Sequence, residues 1–507
     1  MHTARRHLLT LGAAGWAAPA WVRHAGAADL PRFELGVASG QPQPAAVVLW
    51  TRLTGFDLPA QVPVRWQIAH DEAFSRIAAS GTETAEPASA HSVHAEVAGL
   101  APGRGYFYRF NALGQQSATG RTRTAPAADA PASLHAVVTS CQRYDHGLYA
   151  AWRDVAAREP DLVMFLGDYL YEYASPAGVV RAHDGPLLRT LDQFRARYAQ
   201  YKSDPALQAA HAAAPWLLVW DDHEVENDYA DDKGSALWGA DLRRLRAAAY
   251  QAWWEHQPVP KAMRPVGPDA RIFHRLDWGR LARIHALDGR QYRDNQACRP
   301  MSRLGGASSV DAQACPELQD PKRSLLGQVQ ERWLADGWDL DRPWNLLAQQ
   351  TLMARNSRTP VTGARTGRYW TDGWDGYPLA RQRLLQGAVD RRLPGVVALG
   401  GDLHAHVVAD LKADFDMPNA ATVASEFCGT SISSRGMPQA TLDRLRPFNP
   451  HLLHARSDQR GYIALKLTER ELRADLMVVQ DPLHAFSAVE VSARYAVEIG
   501  LPGPQRA

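Results

Sequence analysis

The hydrophobic pattern changes character once along the chain. Between residues 32 and 125 the apolar positions come in short runs rich in Val, Trp, Tyr and Phe: "AAVVLWTRL", "VPVRWQIAH", "SVHAEVAGL" and "YFYRFNAL". Turns rich in Gly, Pro and Ala separate them. Runs of this length and spacing predict a small β-sandwich. In "LAPGRGYFYRF", Leu100, Pro102 and Tyr106 sit as in a tyrosine corner, whose phenol bonds back to the preceding turn. The Ala-, Pro- and Thr-rich stretch at 121–134 reads as a linker or a crossing strand.

From residue 133 to about 495 strands and helices alternate. "LHAVVTSCQ", "DLVMFLGDYLYEY" and "PWLLVWDDHEVENDYA" read as strands that run into polar residues. "GLYAAWRDVAARE", "TLDQFRARYAQYK", "PALQAAHAAA", "DLRRLRAAAYQAWWEHQ" and "LLGQVQERWLADGWDL" carry apolar residues at helical spacing. "RIFHRLDWGRLARIHAL" reads as a hairpin, "WNLLAQQTLMA" as a strand, and "LPGVVALGGDLHAHVVADL" as strand, tight turn and strand. Such alternation predicts a layered α/β fold. No repeat of fixed period is present.

Four of these strands share one feature. "AVVTSC" ends at Cys141, "LVMFLGD" at Asp168, "WLLVWDDHE" at Asp221, Asp222 and His223, and "VVALGGDLHAH" at Asp402, His404 and His406. Open α/β sheets bind ligands at the carboxyl edge of their strands. Carboxylates and imidazoles suit hard or borderline cations, while a thiolate and the phenol of Tyr171 add electron donation toward a trivalent ion. The set points to iron with a harder companion rather than to a Cys-rich zinc knot. Two neighbouring cations bridged by Asp168 can generate a hydroxide and clamp a phosphoryl group. His223 is placed to protonate a leaving alkoxide. Arg143, two residues past Cys141, can meet a phosphate oxygen or form an ion pair. His406 alternates with His404, so a regular strand turns it to the other face. Asn227 and Asp228 read as shaping the loop after "DDHE", and "DGWDGYP" at 372–378 as the mouth of the site or as packing.

Composition narrows the function classes. The 507 residues are 46% hydrophobic and 22% charged, with a formal net charge of +2, so no polyanion-binding face is implied. Arg5 and Arg6, a weakly apolar Ala/Gly stretch, and "AGA" at 25–27 have the layout of a twin-arginine signal peptide over residues 1–27. The stretch is too short and too weakly apolar for a permanent membrane span. The expected location is therefore periplasmic or secreted. Of the four cysteines, Cys298 and Cys315 flank a Gly/Ser-rich segment that a disulfide could staple. Cys141 and Cys428 stand apart from them.

"SCQRYDHG", "FLGDYLYEY", "WDDHEVENDYA", "DGRQYRD", "YWTDGWDGYP", "GGDLHAHV" and "EFCGTSISS" together resemble the PhoD-type alkaline phosphatase family, in the same order and from about residue 32 nearly to the C-terminus. The resemblance implies a calcineurin-like metallophosphoesterase fold, a four-layer α/β/β/α sandwich over 133–495, behind a fibronectin- or immunoglobulin-like sandwich at 32–125. It implies iron ligands at Cys141, Asp168, Tyr171 and Asp402 with Asp168 bridging, calcium ligands at Asp222 and His404, and a centre of one Fe3+ with one or two Ca2+. Where the wider superfamily has "GNHE" and "GHxH", this chain has Asp222 in the Asn place and Asp402 in that of the first His. Both changes make the site more acidic, which suits calcium. Cys428 stands where a small apolar residue is expected and reads as a buried thiol.

The implied function is hydrolysis of small-molecule or lipid phosphate monoesters and diesters by a monomeric exported enzyme, with His223 as general acid. The alternatives are a phospholipase D-type phosphodiesterase on the same centre and a non-catalytic surface protein that keeps calcium for structure. A twin-arginine redox enzyme ranks last, since no dinucleotide fingerprint or Cys-rich cluster motif is present.

Overall fold

The computed structural model describes residues 32–300, 305–417 and 419–507. The signal segment read at 1–27 lies outside the described residues. The N-terminal part is a sandwich of two sheets. One layer holds Val37–Gln43, Ala46–Arg52 and Ser92–Ala98, and the other is built on Val62–Ala69, Ile77–Ala85 and Gly105–Ala112. Val47, Leu49, Val64, Ile68, Val97 and Phe110 alternate inward and fill the space between them. The tyrosine corner forms: the Ala101 N–H donates to the Tyr106 phenol oxygen at 2.9 Å.

The first of these layers does not stop at the end of the sandwich. Val37–Gln43 pairs in parallel with Pro215–Leu218, Ser39 lying opposite Pro215. The three N-terminal strands thereby extend the main sheet of the second part to ten strands. Pairing covers what would otherwise be an exposed edge of unpaired N–H and C=O groups. Side chains bind the seam further: the Trp50 indole donates to Glu255 O at 3.0 Å, and His94 Nδ1 lies 2.8 Å from Val259 O.

In the centre of that sheet Leu134–Thr139, Leu162–Phe165 and Pro215–Leu218 run parallel. Antiparallel strands from Gly461–Leu467 to Leu501–Arg506 complete its other side. A second sheet of seven strands carries the parallel run Ala282–Ala286, Trp344–Ala348, Val396–Gly400 and Thr422–Cys428. The hairpin read in "RIFHRLDWGRLARIHAL" is there, His274–Trp278 against Ala282–Ala286. The two strands read in "LPGVVALGGDLHAHVVADL" also form, but they are not partners. Thr422–Cys428 lies between them, parallel to Val396–Gly400 and antiparallel to His406–Lys412.

Period-two alternation sorts the second sheet's side chains. Trp344, Leu346, Val397, Leu399 and Phe427 face the first sheet, while Leu347, Val396, Ala398 and Cys428 face the opposite way. Helices Ala150–Arg158, Leu191–Lys202, Pro205–Ala213 and Ala240–His256 cover the outer face of the first sheet through Trp152, Phe194, Leu207 and Trp253. Helices Gly327–Ala335, Pro378–Asp390 and Gln439–Leu445 cover the outer face of the second through Leu334, Leu385 and Leu442. The result is the four-layer α/β/β/α sandwich the motifs implied. Caps explain why two of the outer helices start where they do. Thr190 and Gln193 form a reciprocal capping box, and Asp204 accepts from the N–H groups of Ala206 and Leu207.

Candidate metal centre

The carboxyl ends of the two parallel runs meet along one rim. Gln350, just past Trp344–Ala348, donates to the carbonyls of Trp220 at 2.9 Å and Leu287 at 2.8 Å. Ile432 N–H donates to Ser140 O at 3.0 Å. The chain turns sharply at each strand end to aim a side chain into this rim. Cys141, Asp168, Asp402 and His404 all hold left-handed backbone, with φ of 59°, 58°, 61° and 54°. Non-glycine residues there are uncommon, and they cluster where function holds them. Gly167 precedes Asp168 at φ 109°, and a Cβ on it would meet the Asp221 Cβ at 2.4 Å. Only glycine allows those two strand ends to come so close.

The ligand atoms converge in overlapping groups. Cys141 Sγ, an Asp168 oxygen and a His404 nitrogen lie within 4.8 Å of one another, as do Asp168, Asp222 and His223, and Asp221, Asp222 and Asp402. The Tyr171 hydroxyl donates to Asp168 Oδ2 at 2.9 Å, lies 3.0 Å from His404 Nε2 and accepts from Ser434 Oγ at 2.9 Å. The resemblance placed Asp402 with Cys141 and His404 with Asp222. Ligand atoms of His404 lie with those of Cys141 and Asp168 and beside the Tyr171 hydroxyl, and those of Asp402 with Asp221 and Asp222, while Asp402 also acts by charge on Cys141 and Asp222 on His404. Successive left-handed turns at 402 and 404 send their side chains to different parts of the rim.

His223 sits above this floor. Its Nδ1 is 2.7 Å from Glu172 Oε2, its backbone N–H reaches Asp222 Oδ1 at 3.0 Å, and its ring lies 4.1 Å from that of Tyr171. Its Nε2 has no protein hydrogen bond among the described residues. Burial opposes charge on this imidazole, yet Glu172, Asp168 and Asp222 outweigh it and hold the pKa well above the usual value. Arg143 donates Nε to Asp145 at 2.7 Å and Nη2 at 3.3 Å, and its guanidinium lies over the Tyr171 ring. Its Nη1 makes no protein hydrogen bond among the described residues.

Several contributors were not assigned a role in the sequence. Arg290, in "DGRQYRD", is fully buried: Nε donates to Asp221, Nη1 to Asp372 at 2.7 Å, and Nη2 lies 3.7 Å from Asp222 and 3.8 Å from Asp402. Arg293 donates to Asp372 at 2.6 Å. Asp228, read as a loop-shaper, places its carboxylate with those of Asp222 and Asp372 in a further acidic group. Glu224 accepts the backbone N–H groups of Asp168, Tyr169 and Asp221 and so ties two of the strand ends together. The "DGWDGYP" stretch divides: Asp372 turns inward and Trp374 is buried in the second core. Arg290 and Asp372 lie in two of the motifs that carry the resemblance, but their roles could not be read locally, because the groups they answer lie far away along the chain.

Other residues are placed away from the centre. His406 is fully buried, with Thr430 N–H donating to Nδ1 and Nε2 facing Met477 O, both at 3.2 Å. Both of its nitrogens are occupied by backbone. Cys428 is a buried thiol whose Sγ donates to Gly401 O at 3.1 Å, beneath the turn that carries Asp402. Cys298 and Cys315 are joined by a disulfide.

The residues present fit a cationic cofactor. Asp168, Asp221, Asp222, Asp228, Asp372 and Asp402 converge with Arg290 and Arg293 as the fixed cations among them. Asp221 Oδ2 is buried with no hydrogen-bond partner. Burial and the surrounding carboxylates push Asp168 well up despite the opposing charge of His223. Burial and Asp168 do the same to Cys141 and Tyr171. Such a set gives up its protons when a cation takes their place.

Together, two sheets back to back with acidic and imidazole groups on a shared rim define a metallophosphoesterase. The PhoD-like phosphatase family model matches residues 136–476, and the model of that family's N-terminal domain matches residues 17–126. The chain is 41% identical over 490 residues to alkaline phosphatase D of Bacillus subtilis (strain 168), covering 92% of this chain and 81% of that one. A solved structure of PhoD superposes with a TM-score of 0.87 at 38% identity, covering 94% and 92% of the two chains. A purple acid phosphatase from yellow lupin seeds shares the fold alone, at a TM-score of 0.52 and 10% identity over 91% of this chain and 74% of its own. The chain belongs to the PhoD-like phosphatase family and is a hydrolase of phosphoric esters, which sets aside the non-catalytic and redox readings. Among the described residues no helix is long and apolar enough to cross a membrane.

Proposed function

We propose that this protein is an exported alkaline phosphatase that hydrolyses phosphate monoesters and diesters at an iron–calcium centre. Cys141, Asp168, Tyr171 and His404 would hold the iron, and Asp168, Asp222 and Asp402 the calcium, with Asp228 and Asp372 available to a second calcium. When bound, the cations supply Lewis acidity toward the phosphoryl oxygens and the attacking water. The protein's own groups do the rest. Arg143, braced by Asp145, directs its free Nη1 at a phosphoryl oxygen. Glu172 fixes the His223 ring and leaves Nε2 open to the cleft, from which it donates a proton to the departing alcohol. Arg290 holds Asp221, Asp222 and Asp402 in place by charge and does not reach the substrate. The paired arginines near the N-terminus support export by the twin-arginine route.

The convergence of Cys141, Asp168, Tyr171 and His404 with Asp221, Asp222 and Asp402 on a single rim carries this reading. Its test is turnover of p-nitrophenyl phosphate and bis-p-nitrophenyl phosphate before and after chelation, with iron and calcium restored separately and together. Full restoration is expected only with both ions. Activity indifferent to chelation would sink the proposal.

A further inference from the structure

We propose that the cleft beside Asp402 receives the organic arm of the ester, and that Trp370 and Arg358 decide which arms it accepts. This inference rests on the hydrolase reading and deepens it. A cleft of about 290 Å³ opens directly off the loop that carries Asp402. Leu352, Leu403, Met437 and Leu445 give it an apolar lining. Trp370 forms part of its wall with 38% of its surface uncovered. An indole partly uncovered in a concave site offers flat apolar surface at little conformational cost to whatever it packs against.

Arg358 supplies the polar element. Its guanidinium lies 4.9 Å from the centre of the Trp370 ring. The side chain makes no hydrogen bond or ion pair among the described residues, so its donors are available to a ligand. The carboxylate beside it in the lining, Asp375, is engaged by Arg381 at 2.7 Å and by the Asn356 N–H at 2.8 Å, so an apolar lining that also presents this unpaired guanidinium matches an alcohol with an aromatic or apolar segment that carries an acidic group.

The cleft is rigidly tied to the centre. Trp370 ends the strand Arg368–Trp370, which pairs with Ser309–Asp311, Ser309 opposite Trp370. Two residues later Asp372 is locked by Arg290 and Arg293. Ser308 N–H donates to Thr371 Oγ1 at 3.0 Å between them. The wall of the cleft and the acidic floor therefore share one short stretch of backbone, which sets the arm's position relative to the phosphoryl group.

Three monoesters test this: ethyl phosphate, phenyl phosphate and 4-carboxyphenyl phosphate. The ratio of kcat/KM in a variant to that in wild type removes the intrinsic reactivity of each ester. Trp370→Ala is expected to lower the ratio about tenfold for both aryl esters and to leave ethyl phosphate within about twofold. Arg358→Ala is expected to lower only the carboxylated ester, by about tenfold. Equal losses on all three, or none on any, overturn the proposal. Calorimetric binding of phenylphosphonate against ethylphosphonate reads the cleft without turnover. A wild type that hydrolyses no ester ends the hydrolase reading alone, and a phenylphosphonate preference that disappears in Trp370→Ala still upholds the cleft, while no preference rejects it.

Discussion

The Tyr171 hydroxyl lies 3.0 Å from Nε2 of His404, although 233 residues separate them. The two come from different sheets of the sandwich, and no local pattern links them. Their contact divides the rim: a phenol, a thiol and an imidazole share one side with Asp168, and carboxylates dominate the other. Soft and strongly donating groups gather where iron would sit, and hard oxygens where calcium would.

Tyr171→Phe tests that division. The loaded wild type is expected to show visible absorption from tyrosinate-to-iron charge transfer, and the variant to lose it while retaining most of its iron. Elemental analysis beside a visible spectrum decides the matter. An unchanged band in the variant would remove Tyr171 from the ligand set.

The His223–Glu172 pair predicts a dependence on the leaving group. His223→Ala is expected to slow an alkyl phosphate by roughly 10²–10³-fold and p-nitrophenyl phosphate much less, since nitrophenolate departs without a proton. Glu172→Gln should fall between wild type and His223→Ala on the same two substrates. Equal losses on both esters would assign His223 to binding instead.

The disulfide between Cys298 and Cys315 closes a loop with a sequence separation of 17. That loop and the stretch just before it hold Asp228: Ala307 N–H donates to the carboxylate at 3.3 Å, and Gln296 to the Asp228 carbonyl at 2.6 Å. The paired change of both cysteines to serine is expected to cost about 3 kcal/mol of stability. It should also raise the calcium concentration needed for half-maximal activity. Thermal unfolding and a calcium titration measure the two effects separately.

Acid should loosen the seam between the N-terminal sandwich and the rest. Burial lowers the pKa of His94, in that seam, to about 3; it also lowers that of His285, inside the second sheet on Ala282–Ala286, to about 4. An unfolded histidine titrates near 6.5. Between that pH and about 4 the unfolded chain binds protons that the folded chain refuses, so stability falls as pH falls, by up to ~1.4 kcal/mol per pH unit for each group. His94→Gln is expected to flatten the decline of Tm between pH 6.5 and 4.5. An unaltered slope would acquit His94.

Lys202 makes the opposite kind of prediction. It is buried to 1% exposure, lies over the Trp50 ring at 4.4 Å and has His211 Nε2 at 3.3 Å. Burial pushes its pKa well down. Replacing a buried, poorly partnered ammonium by an apolar side chain of similar length removes its desolvation cost. Lys202→Met is expected to raise Tm by a few degrees, and a lower Tm would show that the ammonium is better satisfied than its contacts indicate.

Much of the rim was legible in the chain because each strand announces its own end. A short continuous apolar run that breaks off at a thiol or an acid, with Gly before it at Asp168 and Asp402, marks the carboxyl edge of a buried parallel strand, and so Cys141, Asp168, Asp222 and Asp402 could be picked out one by one. Nothing in the local pattern of Gly461–Leu467 tells that it pairs with Leu134–Thr139, hundreds of positions earlier, or that Glu471–Val479 lies on its other side. Local pattern reports which face of an element is apolar, and it contains no term for what lies opposite.

What the amino-acid order determined by itself was therefore the list of elements and the residue types at their tips, since these follow from side-chain periodicity and backbone preference within a few residues. Which tips converge on one rim, that Arg290 answers Asp221 and Asp372, and that the N-terminal sandwich continues the main sheet through Val37–Gln43 were decided only by the packing of distant segments. The reason is that charge and hydrogen bonding act through space over a few ångströms, and two strand ends hundreds of residues apart reach that range only when the sheets close upon each other.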